Sequence, residues 1–122
     1  MSKSDYYRMK GELLLSKQYK TLQERELAFC EAKRSFDEAV TIAIEKELTV
    51  PCLRALLWSG RLAQIRGEFA ELQTIVIKLN ELINSILKYN VERPKIVVDV
   101  IDFLNGLNPP VPPTGTSTQF WL

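Results

Sequence analysis

The sequence predicts an all-α protein with about five helices in antiparallel hairpins, followed by an extended C-terminal tail. Apolar residues recur at intervals of three and four along most of the chain, which is the spacing of one helix face, and cap and stop residues separate these stretches. Four of the six prolines lie after residue 106, in a segment without charged residues. We therefore assign residues 1–106 to one helical domain and residues 107–122 to a proline-rich tail.

Two helices are predicted in the first part of the chain, over residues 4–20 and 22–48. Ser4 and Asp5 offer an N-cap for the first helix. In both helices the apolar residues have spacings of three and four, which place them on one face. They are Tyr6, Met9 and Leu13 in the first helix and Phe29, Ala32, Phe36, Ala39 and Ala43 in the second.

The third and fourth helices are predicted from the stretch "RALLWSGRLAQIRGEFAEL" and the residues around it. Thr49 offers a cap for the third helix, and Pro51 lies in its first turn, where a missing N–H costs nothing. Gly67 ends this helix because glycine adopts the left-handed conformation easily. Gly60 lies inside it, where a missing side chain allows a neighbouring helix to approach closely. The fourth helix ends near Asn90, and its apolar seam contains Phe69, Leu72, Val76, Leu79, Ile83 and Ile86.

A fifth helix is predicted after Pro94, over residues 95–104. The stretch "KIVVDVIDF" is rich in β-branched residues, so a strand is the alternative. A lone strand among four helices would have no strand to pair with, which favours the helix.

The turn after the third helix carries a resemblance to a known repeat. The residues concerned are Ala55, Gly60, Gly67, Glu68, Phe69 and Glu71, together with Tyr7, Gly11, Ala32, Phe36 and Ala39 upstream. A small residue in one helix and a Gly-acidic-aromatic turn before the next resemble the tetratricopeptide repeat. The resemblance implies a right-handed stack of hairpins whose first helices line a concave, protein-binding surface. Residues 57–107 are also similar to the N-terminal helical solenoids of PCI subunits of the proteasome lid and the signalosome. An unrelated helical bundle is the alternative.

Composition argues against several classes of chemistry. The chain has no histidine, the commonest general base and metal ligand, so we expect no enzymatic activity, no metal and no cofactor. Sixteen basic and 15 acidic residues give a net charge of +1, which does not favour nucleic-acid binding. No membrane span or secretory signal is expected, and we predict an intracellular, cytoplasmic protein. Cys30 and Cys52 are interpreted as reduced core thiols, with a disulfide as the alternative.

The predicted function is that of a protein-binding adaptor or scaffold, and its candidate site lies on the first and third helices. Arg8, Arg54, Trp58 and Arg61 are arginine and tryptophan residues on helices where a core would favour aliphatic side chains. Both residue types are enriched at binding hot spots. For Trp58, an ordinary core position is the alternative. The alternative function is that of a structural subunit or an obligate homo-oligomer.

The end of the tail is a second candidate partner-binding segment. Phe120, Trp121 and Leu122 form an apolar cluster behind the proline-rich spacer. Exposed apolar clusters promote association, so we expect these residues to dock on the chain's own helices, on a second copy or on another protein, with a disordered tail as the alternative.

Overall fold

The computed structural model describes residues 2–89 and 94–107, and it shows five helices and no strand within those ranges. The helices are α1 (Lys3–Ser16), α2 (Leu22–Glu45), α3 (Thr49–Arg66), α4 (Phe69–Tyr89) and α5 (Lys95–Asn105). The all-helical prediction is confirmed for these residues, and the β-branched stretch of α5 is helical. The predicted domain boundary falls next to Leu107, which is buried with the core, while residues 108–122 of the predicted tail lie outside the described part of the chain.

The first helix differs from its prediction at both ends. Ser2, rather than Ser4, is the N-cap, and its hydroxyl accepts a hydrogen bond from the backbone N–H of Asp5. The helix ends at Ser16 and not near residue 20. The hydroxyl of Tyr19 donates to the carbonyl of Leu14 at 2.8 Å, which satisfies one of the last helical carbonyls without a further turn.

The connection between α2 and α3 also begins earlier than predicted. The second helix ends at Glu45 rather than Leu48, and Glu47 adopts a positive φ of 55°. Leu48 is the N-cap of α3 without a side-chain hydrogen bond, so Thr49 is the first helical residue and not the cap. The expectation for Gly67 is confirmed, because it ends α3 in the left-handed conformation with φ 69°.

The third helix occupies the centre of the fold, in contact with each of the other four helices. The main hydrophobic core joins α3 to α4 and α5 and includes Leu53, Val76 and Val97, which are fully buried. A smaller cluster formed by Ala32, Phe36 and Leu62 joins α2 to α3. This arrangement brings surface residues of α1, α3 and α5 close together.

Two glycines lie at close contacts between helices. Gly11 of α1 faces Phe36, and a Cβ there would lie 2.4 Å from the ring. Gly60 of α3 faces Phe103 of α5, and a Cβ there would lie 3.0 Å from that ring and 3.4 Å from Ile75. The prediction of a close approach at Gly60 is confirmed, although the approaching group is a side chain.

The apolar pattern gives the wrong buried face for α1. Tyr6, Met9 and Leu13 are 56%, 41% and 63% exposed, whereas Ser4 and Gly11 are the buried residues of the helix. Small residues occupy the buried face because they allow α1 to approach α2 closely. At this contact the hydroxyl of Ser4 donates to the carbonyl of Ala39 at 2.8 Å. Phe69 is likewise 68% exposed and lies outside the seam assigned to it, since it occupies the exposed first turn of α4.

Within the described ranges, no helix combines the length and apolar character that crossing a membrane requires.

Candidate functional site

Four residues predicted as a binding site line one cavity of about 340 Å³. Arg8 comes from α1, and Arg54, Trp58 and Arg61 come from α3. The remaining lining residues are Leu57 of α3 and Lys95, Ile96 and Asp99 of α5. Three helices that are distant in sequence therefore form one concave surface.

Helical spacing explains why α3 contributes three side chains to this surface. Arg54, Trp58 and Arg61 are four and three residues apart, so they share one face of the helix. Leu53 and Leu56 point elsewhere and are buried in the main core. The α3 helix can thus anchor the fold and line the cavity at the same time.

Trp58 belongs to both the core and the cavity. Its ring stacks on that of the buried Phe36, with 6.3 Å between the ring centroids and 25° between the planes. The Arg61 guanidinium carbon lies 4.8 Å from the centroid of the Trp58 ring, within cation–π distance. The half-buried Trp58 ring thus packs on the core and also lines the cavity, and its role in partner binding stays a prediction.

Two carboxylates of α1 form ion pairs with two of the four cations that line the cavity. Asp5 lies 3.4 Å from Nε of Arg8 and 3.8 Å from a terminal nitrogen of Arg54, and Arg8 also forms an ion pair with Glu12. The Arg8 side chain is only 16% exposed, while that of Arg54 is 44% exposed. Arg8 is consequently held in place, and Arg54 remains accessible.

The other two cations of the cavity have no such compensation. Within residues 2–89 and 94–107, neither Arg61 nor Lys95 forms an ion pair. Lys95 is also the first residue of α5, whose N-cap, Pro94, forms no side-chain cap bond and whose first turn contains no acidic residue. A positive side chain at a helix N-terminus is unfavourable because the helix dipole is positive there. Among the described residues, the cavity therefore combines two cations that form no ion pair with a helix N-terminus that has no side-chain cap.

A second cavity, of about 550 Å³, lies between α2 and α4 and was not predicted. Partial burial of the Asp37 carboxyl raises its pKa, as does the nearby Glu71 carboxylate, while Lys33 and Lys78 lower it. The hydroxyl of Ser59 also lines this cavity, and it is buried without a hydrogen-bond partner in the structure. At its edge, Lys33 bridges to Glu71 at 2.6 Å. This cavity has charges of both signs and no excess of either.

The two cysteines lie in different environments, and both are free thiols. Cys52 is buried as predicted, and burial raises the pKa of its thiol. Cys30 is exposed, so its assignment to the core is wrong. It lies on the outer side of α2, where its thiol donates to the Glu26 carboxylate at 3.8 Å.

The sequence prediction omitted the α5 side of the site. Lys95 and Asp99 are not among the residues that the sequence predicts for this site. Lys95, Ile96 and Asp99 share one helix face through their spacing, but nothing in that spacing identifies α3 as the neighbouring helix. The other predicted segment, Phe120, Trp121 and Leu122, lies outside the described residues.

The chain matches no protein-family model, no curated protein and no solved structure. The resemblances to the tetratricopeptide repeat and to PCI subunits therefore stay predictions.

Proposed function

We propose that this chain is a non-catalytic adaptor that binds a short acidic segment of another protein in the cavity between α1, α3 and α5. The observation that carries this proposal is the convergence of Arg8, Arg54, Arg61 and Lys95 around Trp58. Two of the four cations have no carboxylate partner in the described part of the chain. Like charges held close together destabilise a fold, so an anionic partner would compensate for an unfavourable arrangement.

The chemistry of the lining residues defines the partner segment. Guanidinium groups form paired hydrogen bonds with carboxylates, and these charge-assisted bonds are stronger than neutral ones. Trp58 and Ile96 add apolar surface beside the cations. The best fit is an extended or helical segment in which Asp or Glu residues flank one apolar side chain.

A protein segment fits the site better than a nucleic acid does. Asp99 lines the cavity, and Asp5 and Glu12 lie beside Arg8. These carboxylates would repel a continuous phosphate backbone, whereas a peptide can place its acidic residues between them. The net charge of +1 also lacks the excess of basic residues that nucleic-acid binding proteins carry.

The proposed adaptor has a tetratricopeptide-like stack, with α1, α3 and α5 lining the binding side. Contacts of α3 with both α1 and α5 support this arrangement. The absence of histidine from the sequence supports a role without catalysis. The two free thiols fit a reducing compartment and support a cytoplasmic location.

Selection from a displayed library of random peptides, followed by fluorescence anisotropy with the enriched sequences, tests the proposal. We expect enrichment of Asp and Glu around one apolar residue, with affinity that decreases as salt is added. Arg61→Glu and Lys95→Glu should each raise Kd by about tenfold or more, since each replaces an attraction with a repulsion. Arg34→Glu is the control, because it reverses an exposed charge on α2 that does not line the cavity.

Two results would rule out this site. One is a set of enriched peptides without acidic residues. The other is tight peptide binding that persists in both cavity variants, which would place the binding surface elsewhere on the protein.

A further inference from the structure

Helix α1 has two faces with different roles. Ser4 and Gly11, seven residues apart, are buried against α2. Tyr6, Met9 and Leu13 lie on the opposite side, and their exposed fractions of 56%, 41% and 63% leave a continuous apolar stripe in solvent. The charged residues beside this stripe indicate what covers it.

The exposed face follows a heptad pattern, the seven-residue repeat of helices that pair along a seam. With Tyr6 and Leu13 at position a, Met9 falls at position d between them. The flanking positions then carry charges of one sign on each side. Position d also includes Ser16, position e is Lys3 and Lys10, and position g is Asp5 and Glu12, while the cap residues Ser2 and Lys17 continue positions d and e just outside the helix. In paired helices, a and d form the apolar seam, while e and g determine orientation and partner choice.

This charge pattern is complementary to itself in only one orientation. In a parallel pair, position g faces position e of the next heptad on the other helix, so Asp5 meets Lys10 and Glu12 meets Lys17 of the second copy. In an antiparallel pair, position e faces e and position g faces g, which brings lysine to lysine and acid to acid. The parallel arrangement is therefore favoured.

The lysines required for these contacts are accessible, while the two carboxylates are mostly covered and keep a smaller exposed surface. Lys10 and Lys17 are exposed and form no ion pair among the described residues. The side chains of Asp5 and Glu12 are 16% and 28% exposed, and each pairs with Arg8 on the inner side of the helix. A carboxylate has two oxygens and several acceptor positions, so it can bind Arg8 and a lysine of the second copy together.

We propose that a second copy of this chain docks on the exposed stripe of α1, giving a two-fold symmetric dimer with parallel α1 helices. This interface goes beyond the proposed function, because its apolar seam lies on a different face of α1 from Arg8, although Asp5 and Glu12 contact both surfaces. The α1 helix is already folded in the monomer, so pairing does not require it to be ordered first. Two heptads bury a small area, which places the contact among weak, reversible interfaces.

An anionic membrane is a less suitable occupant of the same stripe. Lysines and apolar residues together suit a lipid surface. Here, however, the lysines lie along one flank only, and Asp5 and Glu12 lie along the other. A second copy complements both flanks, whereas a negatively charged bilayer would repel the acidic one.

Sedimentation equilibrium of the full chain tests the dimer, with Leu13→Glu as the disrupting variant. We expect a concentration-dependent dimer for the wild type and a dimer Kd at least tenfold higher for Leu13→Glu, since two glutamates would meet at position a. Leu27→Glu is the matched control, because Leu27 is a 72% exposed leucine on α2, and this variant should dimerise like the wild type. Arg61→Glu should also dimerise normally, which separates this test from that of the cavity.

Disulfide trapping in a Cys30→Ser background determines the orientation. Met9→Cys lies near the middle of the stripe and should cross-link in either orientation. Ser16→Cys lies at one end, so it should cross-link only when the helices are parallel and in register. A wild-type protein that stays monomeric at about 1 mM would overturn the proposal. So would a dimer that Leu13→Glu leaves intact, or cross-linking through position 9 without cross-linking through position 16.

Discussion

The contact between Gly11 and Phe36 predicts that alanine at position 11 destabilises the protein. An ideal Cβ at Gly11 would lie 2.4 Å from Cε1 of Phe36 and 2.8 Å from Cδ1 and Cζ. Non-bonded carbon atoms are at their best separation at about 3.5–4.0 Å. Gly11→Ala therefore requires either the phenyl ring or the whole α1 helix to move.

The surroundings of Phe36 set the magnitude. Its side chain is 0% exposed and packs with Ala32, Leu62 and Trp58, so a shift of the ring would press on these neighbours. Overpacking a well-filled core costs about 1–3 kcal/mol. Alanine recovers about 1 kcal/mol, because it favours a helix interior more than glycine does. The net cost is then about 0–2 kcal/mol, and since all three clashing atoms belong to one rigid, buried ring, we expect the upper half of this range, a decrease in the free energy of unfolding of about 1–2 kcal/mol.

Urea denaturation followed by far-UV circular dichroism measures this change, in dilute protein so that unfolding is not coupled to association. Lys10→Ala is the control for alanine at an exposed neighbouring position, and it should change the free energy of unfolding by less than about 0.5 kcal/mol. In a Phe36→Leu background the smaller side chain leaves room, so Gly11→Ala should cost less there. A Gly11→Ala protein as stable as the wild type would refute the steric argument, as would an undiminished cost in the Phe36→Leu background.

Two further predictions concern α3 and the thiols. Gly60→Leu should lower the free energy of unfolding by about 1–3 kcal/mol, because a Cβ at Gly60 already lies 3.0 Å from Phe103; an unchanged melting temperature would contradict this. In the native protein at mildly alkaline pH, a thiol reagent should modify the exposed Cys30 rapidly and Cys52 only after unfolding, since burial shields the Cys52 thiol and raises its pKa. Rapid modification of two thiols per native chain would show that the region around Cys52 opens easily.

Local signals in the sequence account for most of the helix pattern. The left-handed glycine at position 67 separates α3 from α4 in the structure as its sequence context predicts. The apolar spacing of α4 identifies Val76, Leu79 and Ile83, all fully buried. These predictions succeed because caps, stops and apolar periodicity act within one helix, where sequence distance and spatial distance agree.

The choice of buried face on α1 depends on more than hydrophobicity. Tyr6, Met9 and Leu13 form the more apolar face, yet Gly11 and Ser4 face α2. A large ring on the neighbouring helix needs a gap, and Gly11 provides it at Phe36. Complementary shape across a helix pair is a property of two segments, so a pattern within one segment cannot reveal it.

The sequence identifies the part of the candidate site on α3 but not the part on α5. Arg54, Trp58 and Arg61 share a face of α3 that their spacing alone identifies. Lys95 joins them only because α5 packs against α3, although Lys95 lies 34 residues after Arg61 in the sequence. The positive charge of the cavity therefore became apparent only from the fold.

Substitutions at Trp58 and Arg61 together separate stability from binding. The Trp58 ring packs on the core, whereas the Arg61 guanidinium lies over that ring in the cavity. Trp58→Ala removes the packing on Phe36 and should lower the free energy of unfolding by about 2–4 kcal/mol. This value lies toward the lower end for substitutions of large aromatic residues, because Trp58 is only half-buried. Arg61→Ala removes the cation above the ring and should cost at most about 1 kcal/mol of stability. It should nevertheless weaken binding of an acidic peptide, because one guanidinium is lost from the cavity.

Denaturation and peptide titration on the same preparations of both variants test this separation. Trp58→Phe is the intermediate case: a smaller ring keeps a stacking partner for Phe36 and should recover part of the stability lost in Trp58→Ala. If Trp58→Ala unfolds no more easily than the wild type, the packing of its ring on Phe36 contributes nothing. If Arg61→Ala loses as much stability as Trp58→Ala, then Arg61 is a structural residue, and its role in recognition would have to be abandoned.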